Sequence, residues 1–268
     1  MRRGTGASAS LRLAVLILAA VTSTALAAVP ARAATWTTTR ITTNYFAYWP
    51  SLALDGIGKA HIAFARPFSG IYYATNRSGS WTKTQVTASG DDSSPSAVIG
   101  PYDSSPSLAL DGNGKAHIAF QREGTNPGIY YATNRSGSWT KTQMTNDYDG
   151  SPSLALDGSV RAHIAFERGG SGIYYATNRS GSWVTTRLST SADDYSPSLA
   201  LDGTGKAHIA FWRSGSGIYY ATNASGSWTK AQVTANAVDD SPSLALDGAG
   251  KAHIAFDRGD TGLYIATN

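Results

Sequence analysis

Apolar and polar residues alternate in four short runs that recur along most of the chain. In the copy that begins at Pro197, these runs are residues 199–201, 206–211, 218–223 and 228–234. Alternation with a period of two predicts half-buried β-strands, and no run has the 3.6-residue spacing of an amphipathic helix. Asp202-Gly203-Thr204-Gly205 separates the first two runs, and its glycines allow the positive φ that tight hairpin turns require. Each copy therefore predicts four antiparallel strands.

A histidine at a fixed place in each copy gives the period of the repeat. The histidines are His61, His117, His163, His208 and His253, which are the five in the chain. They are separated by 56, 46, 45 and 45 residues, and the long first interval contains an insertion at residues 89–105. A period in this range indicates a repeat architecture. Four antiparallel strands per repeat form the blade of a β-propeller.

The two ends of the repeat region supply complementary parts of one blade. The fifth copy ends at Asn268, after its third run, whereas residues 36–42 match the fourth run of the first copy at residues 81–87. A strand from the N-terminal side would complete the last blade and remove an exposed sheet edge. An open stack would instead need polar capping repeats. We therefore predict an all-β fold, a five-bladed β-propeller of four-stranded antiparallel blades, with the ring closed by residues 36–42.

The first 33 residues have the features of a signal peptide. Arg2, Arg3 and Arg12 precede the apolar residues 13–20, and Ala31-Arg32-Ala33 is a small-x-small cleavage sequence. The apolar run is too short to span a membrane. We expect residues 1–33 to be removed, residues 34–268 to form a single propeller domain, and the protein to be secreted.

Charge and cysteine content narrow the class of ligand. Residues 1–33 hold four of the 22 basic residues and no acidic one, so the remaining chain has 18 of each sign. Without a basic cluster we expect no nucleic-acid partner. The chain has no cysteine, which excludes disulfides and thiolate metal sites. We also expect no cofactor.

Comparison of the five copies separates a constant face from a variable one. The turns between runs one and two, and between runs three and four, are nearly constant. The segments before run one and after run two vary, except for one arginine in every copy. Loops on a rigid scaffold are where binding usually resides. The candidate ligand-binding residues are Arg66, Arg122, Arg168, Arg213, Arg258, Trp49, Tyr102, Asp103, Asp147, Tyr148, Asp149, Asp193, Asp194, Tyr195, Trp212, Asp239 and Asp240.

These residue types suit sugar recognition. Arginine and aspartate make directional hydrogen bonds to hydroxyl groups, while tyrosine and tryptophan offer an apolar platform to the C–H faces of a sugar ring. In the alternative interpretation, each arginine pairs with the neighbouring aspartate and only ties loops together. The sequence leaves both roles open.

The other polar positions that recur in the copies predict structural roles. Each histidine lies between Ala and Ile in run two, and the repeat spreads the histidines over separate blades. Metal ligands must instead converge on one point, so we expect packed, hydrogen-bonded histidines and no metal site. The turn aspartates, such as Asp55, lack the neighbouring carboxylates that calcium requires and are expected to cap turns.

The sequence Ala-Thr-Asn-x-Ser-Gly-Ser-Trp occurs at residues 74–81, 132–139, 176–183 and 221–228. It resembles the Asp-box, or BNR, repeat of sialidase-like propellers, with Asn in place of Asp and one residue fewer between Gly and Trp. In that family the motif supports folding and lies away from the active face. The five similar blades also resemble secreted lectin propellers of the tachylectin kind, which bind sugars once per blade.

Together these features predict a secreted, multivalent, non-catalytic lectin-like propeller with up to five similar glycan-binding sites. One alternative is a protein-interaction platform on the same face, anchored by aromatic residues such as Trp212. Another is a sialidase-like glycoside hydrolase, for which Glu123 and Glu167 are the only glutamates in the chain. Five nearly equivalent blades make it difficult to build the two different carboxylate environments that such an enzyme needs.

Overall fold

The computed structural model describes residues 37–43, 47–66, 69–88 and 103–268. Residues Arg40–Asn268 form one compact unit. The expected signal peptide lies outside the described residues, as do Trp36 and Tyr102. Among the described residues, no helix has the length and apolar character needed to cross a membrane.

The unit consists of five antiparallel sheets built from consecutive strands. The first sheet contains β1 (Tyr48–Leu54), β2 (Ala60–Arg66), β3 (Gly70–Thr75) and β4 (Thr82–Gln85). The second contains β5 (Asp103–Leu110), β6 (Ala116–Arg122), β7 (Gly128–Thr133) and β8 (Thr140–Gln143). The third contains β9 (Asp149–Leu156), β10 (Ala162–Arg168), β11 (Gly172–Thr177) and β12 (Val184–Arg187). The fourth contains β13 (Asp194–Leu201), β14 (Ala207–Arg213), β15 (Gly217–Thr222) and β16 (Thr229–Gln232). The fifth contains β17 (Asp239–Leu246), β18 (Ala252–Arg258) and β19 (Leu263–Thr267), with a 3-10 turn at Gly259–Thr261.

The first strand of each sheet is longer than its hydrophobic pattern predicts. In the fourth sheet the strand starts at Asp194, although the sequence placed that residue in a loop. A β-bulge between Tyr195 and Ser198 explains the difference, because it lets Ser196 and Pro197 lie opposite a single partner residue. In the sequence, adjacent serine and proline predict a turn. The bulge nevertheless accommodates the proline within the strand, although proline has no N–H to donate to the neighbouring strand.

The core lies between the sheets. One face of each sheet packs on the opposite face of the next, so that Ile71 and Tyr73 of the first sheet contact Ile118 and Phe120 of the second. The same contact pattern recurs at the three following junctions. Stacked in this way, five sheets of 4, 4, 4, 4 and 3 strands are consistent with a β-propeller.

The first and fifth sheets expose the faces that the other sheets bury. Leu52 of β1 is 63% exposed and Leu263 of β19 is 84% exposed. Their counterparts in the second sheet, Leu108 and Ile129, are 8% and 0% exposed. Residues 37–43 are not in a strand. The fourth strand predicted for the last sheet is therefore not formed by the described residues.

Candidate functional site

The repeated arginine at the end of the second strand pairs with the aspartate that opens the first strand. Arg213 and Asp194 are directly opposite in register. Arg213 Nε and Nη2 donate to the two carboxylate oxygens at 2.6 and 2.9 Å. Arg168 with Asp149 and Arg258 with Asp239 repeat this bidentate geometry. In these three sheets the arginine thus ties the first two strands together.

The carboxylates of these pairs are fully buried, whereas the arginines reach the surface. The side chain of Asp194 is 0% exposed and that of Arg213 is 22% exposed. Hydrogen bonding to Asp194 raises the pKa of Arg213, and hydrogen bonding from Arg258 lowers the pKa of Asp239. The pairing uses Nε and Nη2, so Nη1 is not part of the bidentate pair.

Each arginine also lies over a tyrosine ring of the third strand. The guanidinium carbon of Arg213 is 4.4 Å from the ring centre of Tyr219, and Tyr219 stacks on Phe211. The remaining sheets repeat the contact at 4.1–5.0 Å. The pairs are Arg66 with Tyr72, Arg122 with Tyr130, Arg168 with Tyr174, and Arg258 with Tyr264. A cation and an aromatic ring are therefore fixed together in all five sheets.

The variable residues beside the arginines differ from sheet to sheet in their chemistry and contacts. Glu167 accepts a hydrogen bond from the Ser196 amide of the next sheet at 2.9 Å. Trp212 lies 5.2 Å from Tyr195 between ring centres. Glu123 accepts a hydrogen bond from the side chain of Gln121. The position before the arginine thus carries a carboxylate in the third sheet, an indole in the fourth and an amide in the second.

Several other predicted residues lie on the same surface. Tyr148 is 73% exposed, and Asp147 lies 3.5 Å from Arg168 Nε with 53% of its side chain exposed. Asp193 is exposed and Asp240 is half-buried. Tyr102 lies outside the described residues, and Asp103 is described only as the first residue of β5.

The starts of all five first strands surround one open cavity of about 550 Å³. The second, third and fourth sheets line it with a Ser-Pro-Ser segment, the fifth with Ser241-Pro242 and the first with Trp49-Pro50-Ser51. The first residue of each segment has a positive φ between 46° and 50°. These residues are Trp49, Ser105, Ser151, Ser196 and Ser241. The sequence identified Trp49 as a candidate but not the serines, because nothing in one copy indicates that five copies converge.

The serine after the proline has a structural role in the first four sheets. The amide of Leu154 donates to Ser107 Oγ at 3.0 Å, and the amide of Leu199 donates to Ser153 Oγ at the same distance. Leu108 with Ser51 and Leu244 with Ser198 complete the series. Each bond joins the first strands of adjacent sheets. It is the first residue, at positive φ, that varies between serine and tryptophan.

The histidines lie at the opposite end of the strands, and four of the five are packed and hydrogen-bonded, as predicted. His61, His117, His163 and His208 are at most 4% exposed. Nδ1 of each forms a hydrogen bond with a tyrosine hydroxyl of the third strand. In the fifth sheet Ile265 replaces that tyrosine, and the side chain of His253 is 37% exposed. Among the described residues, no group of three or more side chains could hold a metal ion.

The turn aspartates cap their turns and also face these histidines. Asp202 Oδ1 accepts hydrogen bonds from the amides of Thr204 and Lys206 at 2.8 and 2.9 Å. Burial alone would raise the pKa of Asp202, but these bonds lower it to about 2. Burial lowers the pKa of His117 and His163 below the ordinary 6.5.

These shifts predict a loss of stability in acid. Below pH 6.5 the unfolded chain protonates His117 and His163 while the folded chain keeps them neutral, so protons favour unfolding. A second decline should begin below pH 3.8, where the unfolded chain protonates Asp202 first. Thermal unfolding midpoints measured from pH 8 to pH 3 would show both steps. His163→Gln should weaken the first step, because it removes one of the two buried neutral histidines. An unfolding midpoint that stays constant from pH 8 to pH 5 would contradict the assignment.

Comparison with known proteins places the chain by fold. No protein-family model matches it, and no curated protein matches it either. A Dyadobacter fermentans protein of unknown function is 10% identical with a TM-score of 0.58, over 83% of this chain and 78% of the other. The Aleuria aurantia lectin, a six-bladed β-propeller that recognises fucose, is 15% identical with a TM-score of 0.56, over 81% and 76%. An ulvan lyase is 14% identical with a TM-score of 0.56, over 83% and 69%. The fold of this chain is that of a β-propeller.

Proposed function

We propose that this protein is a secreted, non-catalytic carbohydrate-binding propeller with up to five similar sites. The observation that carries the proposal is the arginine fixed over a tyrosine ring in all five sheets. The outer edge of each guanidinium group donates to sugar hydroxyls, and exposed aromatic rings such as Tyr148 offer a stacking surface. Five weak sites on one face gain avidity on a surface that displays repeated glycans.

The comparisons support the proposal at the level of fold. A lectin that recognises fucose and an enzyme that cleaves a polysaccharide both have the β-propeller architecture of this chain. Because a fold hosts many functions, the choice of binding over catalysis rests on the residues of this chain. Glu123 and Glu167, which a hydrolase would need, each accept a hydrogen bond from a neighbouring group and lie on different sheets.

Secretion is part of the proposal and rests on the sequence of residues 1–33. Three arginines precede a short apolar run there, and a small-x-small sequence follows it. An extracellular location would bring the sites to the glycans of cell surfaces or cell walls.

We also propose that residues 36–42 complete the fifth sheet and close the ring. A cavity of about 90 Å³ on that sheet supports this strand addition. It is lined in part by Tyr220, Val233, Ala252, Ile254 and Ala266. The equivalent residues of the preceding junction are Tyr175, Leu188, Ala207, Ile209 and Ala221, and they surround Trp228. Trp36 stands 45 residues before Trp81 in the sequence and is the tryptophan that would fill the cavity.

The position of Ile41 gives independent support. Ile41 lines a cavity of about 170 Å³ together with Ile62 and Phe64 of the first sheet. Its counterpart one repeat later, Val86, packs on the equivalent face of the second sheet. Ile41 therefore lies where the end of a closing strand would lie.

A glycan array followed by calorimetric titration tests the main proposal. Replacing Tyr148 with alanine should weaken binding to a multivalent glycan surface by roughly tenfold or less, because it removes one aromatic platform of several. Tyr148 is 73% exposed, so the unfolding temperature should not change. Val184, which is 51% exposed on the outer strand β12, provides a matched control as Val184→Ser.

An array with no binding to any glycan would overturn the proposal. Turnover of a fluorogenic glycoside would also overturn its non-catalytic part and would favour the hydrolase.

A further inference from the structure

Trp49 is the exception among five equivalent positions around the central cavity. The other four sheets place Ser105, Ser151, Ser196 and Ser241 there. All five residues share a left-handed backbone conformation, with φ between 46° and 50°. Residues other than glycine rarely adopt it, and here the bulge at the start of each first strand imposes it. The backbone is therefore common to all five sheets, and only the side chain of the first sheet differs.

The indole of Trp49 is unusually exposed for a side chain of its size. It is 51% exposed, and the neighbouring Tyr48 is 43% exposed. Their ring centres are 5.8 Å apart, with the planes inclined at 55°. Because large apolar rings gain free energy by leaving water, an exposed pair beside a cavity is typical of a binding site. The two rings form an aromatic corner at the rim of the cavity.

The remaining wall of the cavity is neutral and rich in hydroxyl groups. Every described residue that lines it is a tryptophan, a proline or a serine. The volume of about 550 Å³ is within the usual range for ligand sites, about 300–1,000 Å³. Serine hydroxyls both donate and accept hydrogen bonds, so they match the hydroxyl groups of a sugar. A carboxylate in the ligand would find no cation among these lining residues.

We propose that the central cavity is a separate glycan site, in which one neutral sugar ring stacks on Trp49 and bonds to the surrounding serines. The inference rests on the proposed carbohydrate-binding function, since the cavity opens between the same strand ends as the five arginines. It adds a single axial site with its own specificity. The arginine sites are peripheral and cationic, whereas the axial site selects uncharged sugars over sialic acid and uronic acids.

Replacement of Trp49 by serine tests the axial site without disturbing the fold, because the other four sheets already carry serine at this position. The probes are L-fucose, D-galactose, D-mannose, N-acetylneuraminic acid and D-glucuronic acid, each titrated by calorimetry and by quenching of tryptophan fluorescence. For at least one neutral sugar we expect a component with one site per chain. Trp49→Ser should weaken that component by roughly tenfold or more. The circular dichroism spectrum and the unfolding temperature serve as controls for folding.

The matched variant Tyr148→Ala separates the two kinds of site. It should leave the single-site component unchanged while reducing binding to multivalent glycan surfaces. If neutral sugars bind, but Trp49→Ser binds them as tightly as the wild type, the proposal of an axial site is wrong. The proposal of peripheral arginine sites is then unaffected. Preference of the single site for an acidic sugar would also overturn the axial proposal. If no sugar or glycan binds at all, both proposals fail together.

Discussion

Replacing Asp194 with alanine is expected to lower the free energy of unfolding by about 3 to 5 kcal/mol. The carboxylate is fully buried and accepts two hydrogen bonds from Arg213, at 2.6 and 2.9 Å. Its removal leaves the Arg213 side chain, which is 22% exposed, without its partner at the point where β13 begins and β14 ends. A loss of this size is a large part of the 5–15 kcal/mol that stabilises a typical domain. Urea unfolding followed by fluorescence would measure it.

Two further variants test whether the loss of stability comes from the Asp194–Arg213 pair. Asp193 is the exposed neighbour of Asp194 in the sequence, so Asp193→Ala should change stability by less than about 0.5 kcal/mol. Arg213→Lys keeps the charge but cannot form the bidentate pair, and it should be destabilised to an intermediate degree. If Asp194→Ala were as stable as Asp193→Ala, the pair would contribute nothing to the fold. The arginine would then be retained for ligand binding alone.

The repeat made most of the fold predictable. Alternation in a run such as residues 206–211 predicts a strand, and the glycine-containing turns define hairpins, so four strands per copy followed directly. The start of the first strand was missed, because Ser196-Pro197 looks like a turn and strand propensity does not describe a bulge. That error placed Asp194 in a loop. With the strand extended by the five residues from Asp194 to Ser198, its register opposite Arg213 would have predicted the buried pair.

The candidate site was less predictable because its parts come from different sheets. The sequence could indicate that Arg168 and Asp149 lie near one another, but not that the aspartate is fully buried and the arginine only partly. The central cavity is a stronger example. Ser105 and Ser241 are far apart in the chain and unremarkable in any one copy, and they become one surface only when five strands surround a common space.

Closure of the ring can be tested by a disulfide, because the chain has no cysteine of its own. In the first sheet Ala74 pairs with Lys83 across β3 and β4. The equivalent residues for the proposed closing strand are Ala266 and Thr38. The double variant Thr38→Cys, Ala266→Cys should therefore oxidise readily within one chain, since opposed residues of antiparallel strands bring their Cβ atoms within reach of a disulfide. For so long a loop the gain in stability is about 4–5 kcal/mol, seen as a rise in the unfolding temperature that a reductant abolishes.

The control shifts the register by two residues. Thr38→Cys with Tyr264→Cys places the cysteines out of alignment and should form the intramolecular disulfide more slowly and in lower yield, measured by mass spectrometry and on non-reducing gels. Trp36→Ala should reduce the yield of the aligned pair, because the indole that would fill the cavity beside Tyr220 and Ile254 is lost. Equal yields for the aligned and shifted pairs would mean that residues 36–42 do not pair with β19. The exposed Leu52 and Leu263 would then need a different partner, and a second copy of the chain would be the first to test, by sedimentation.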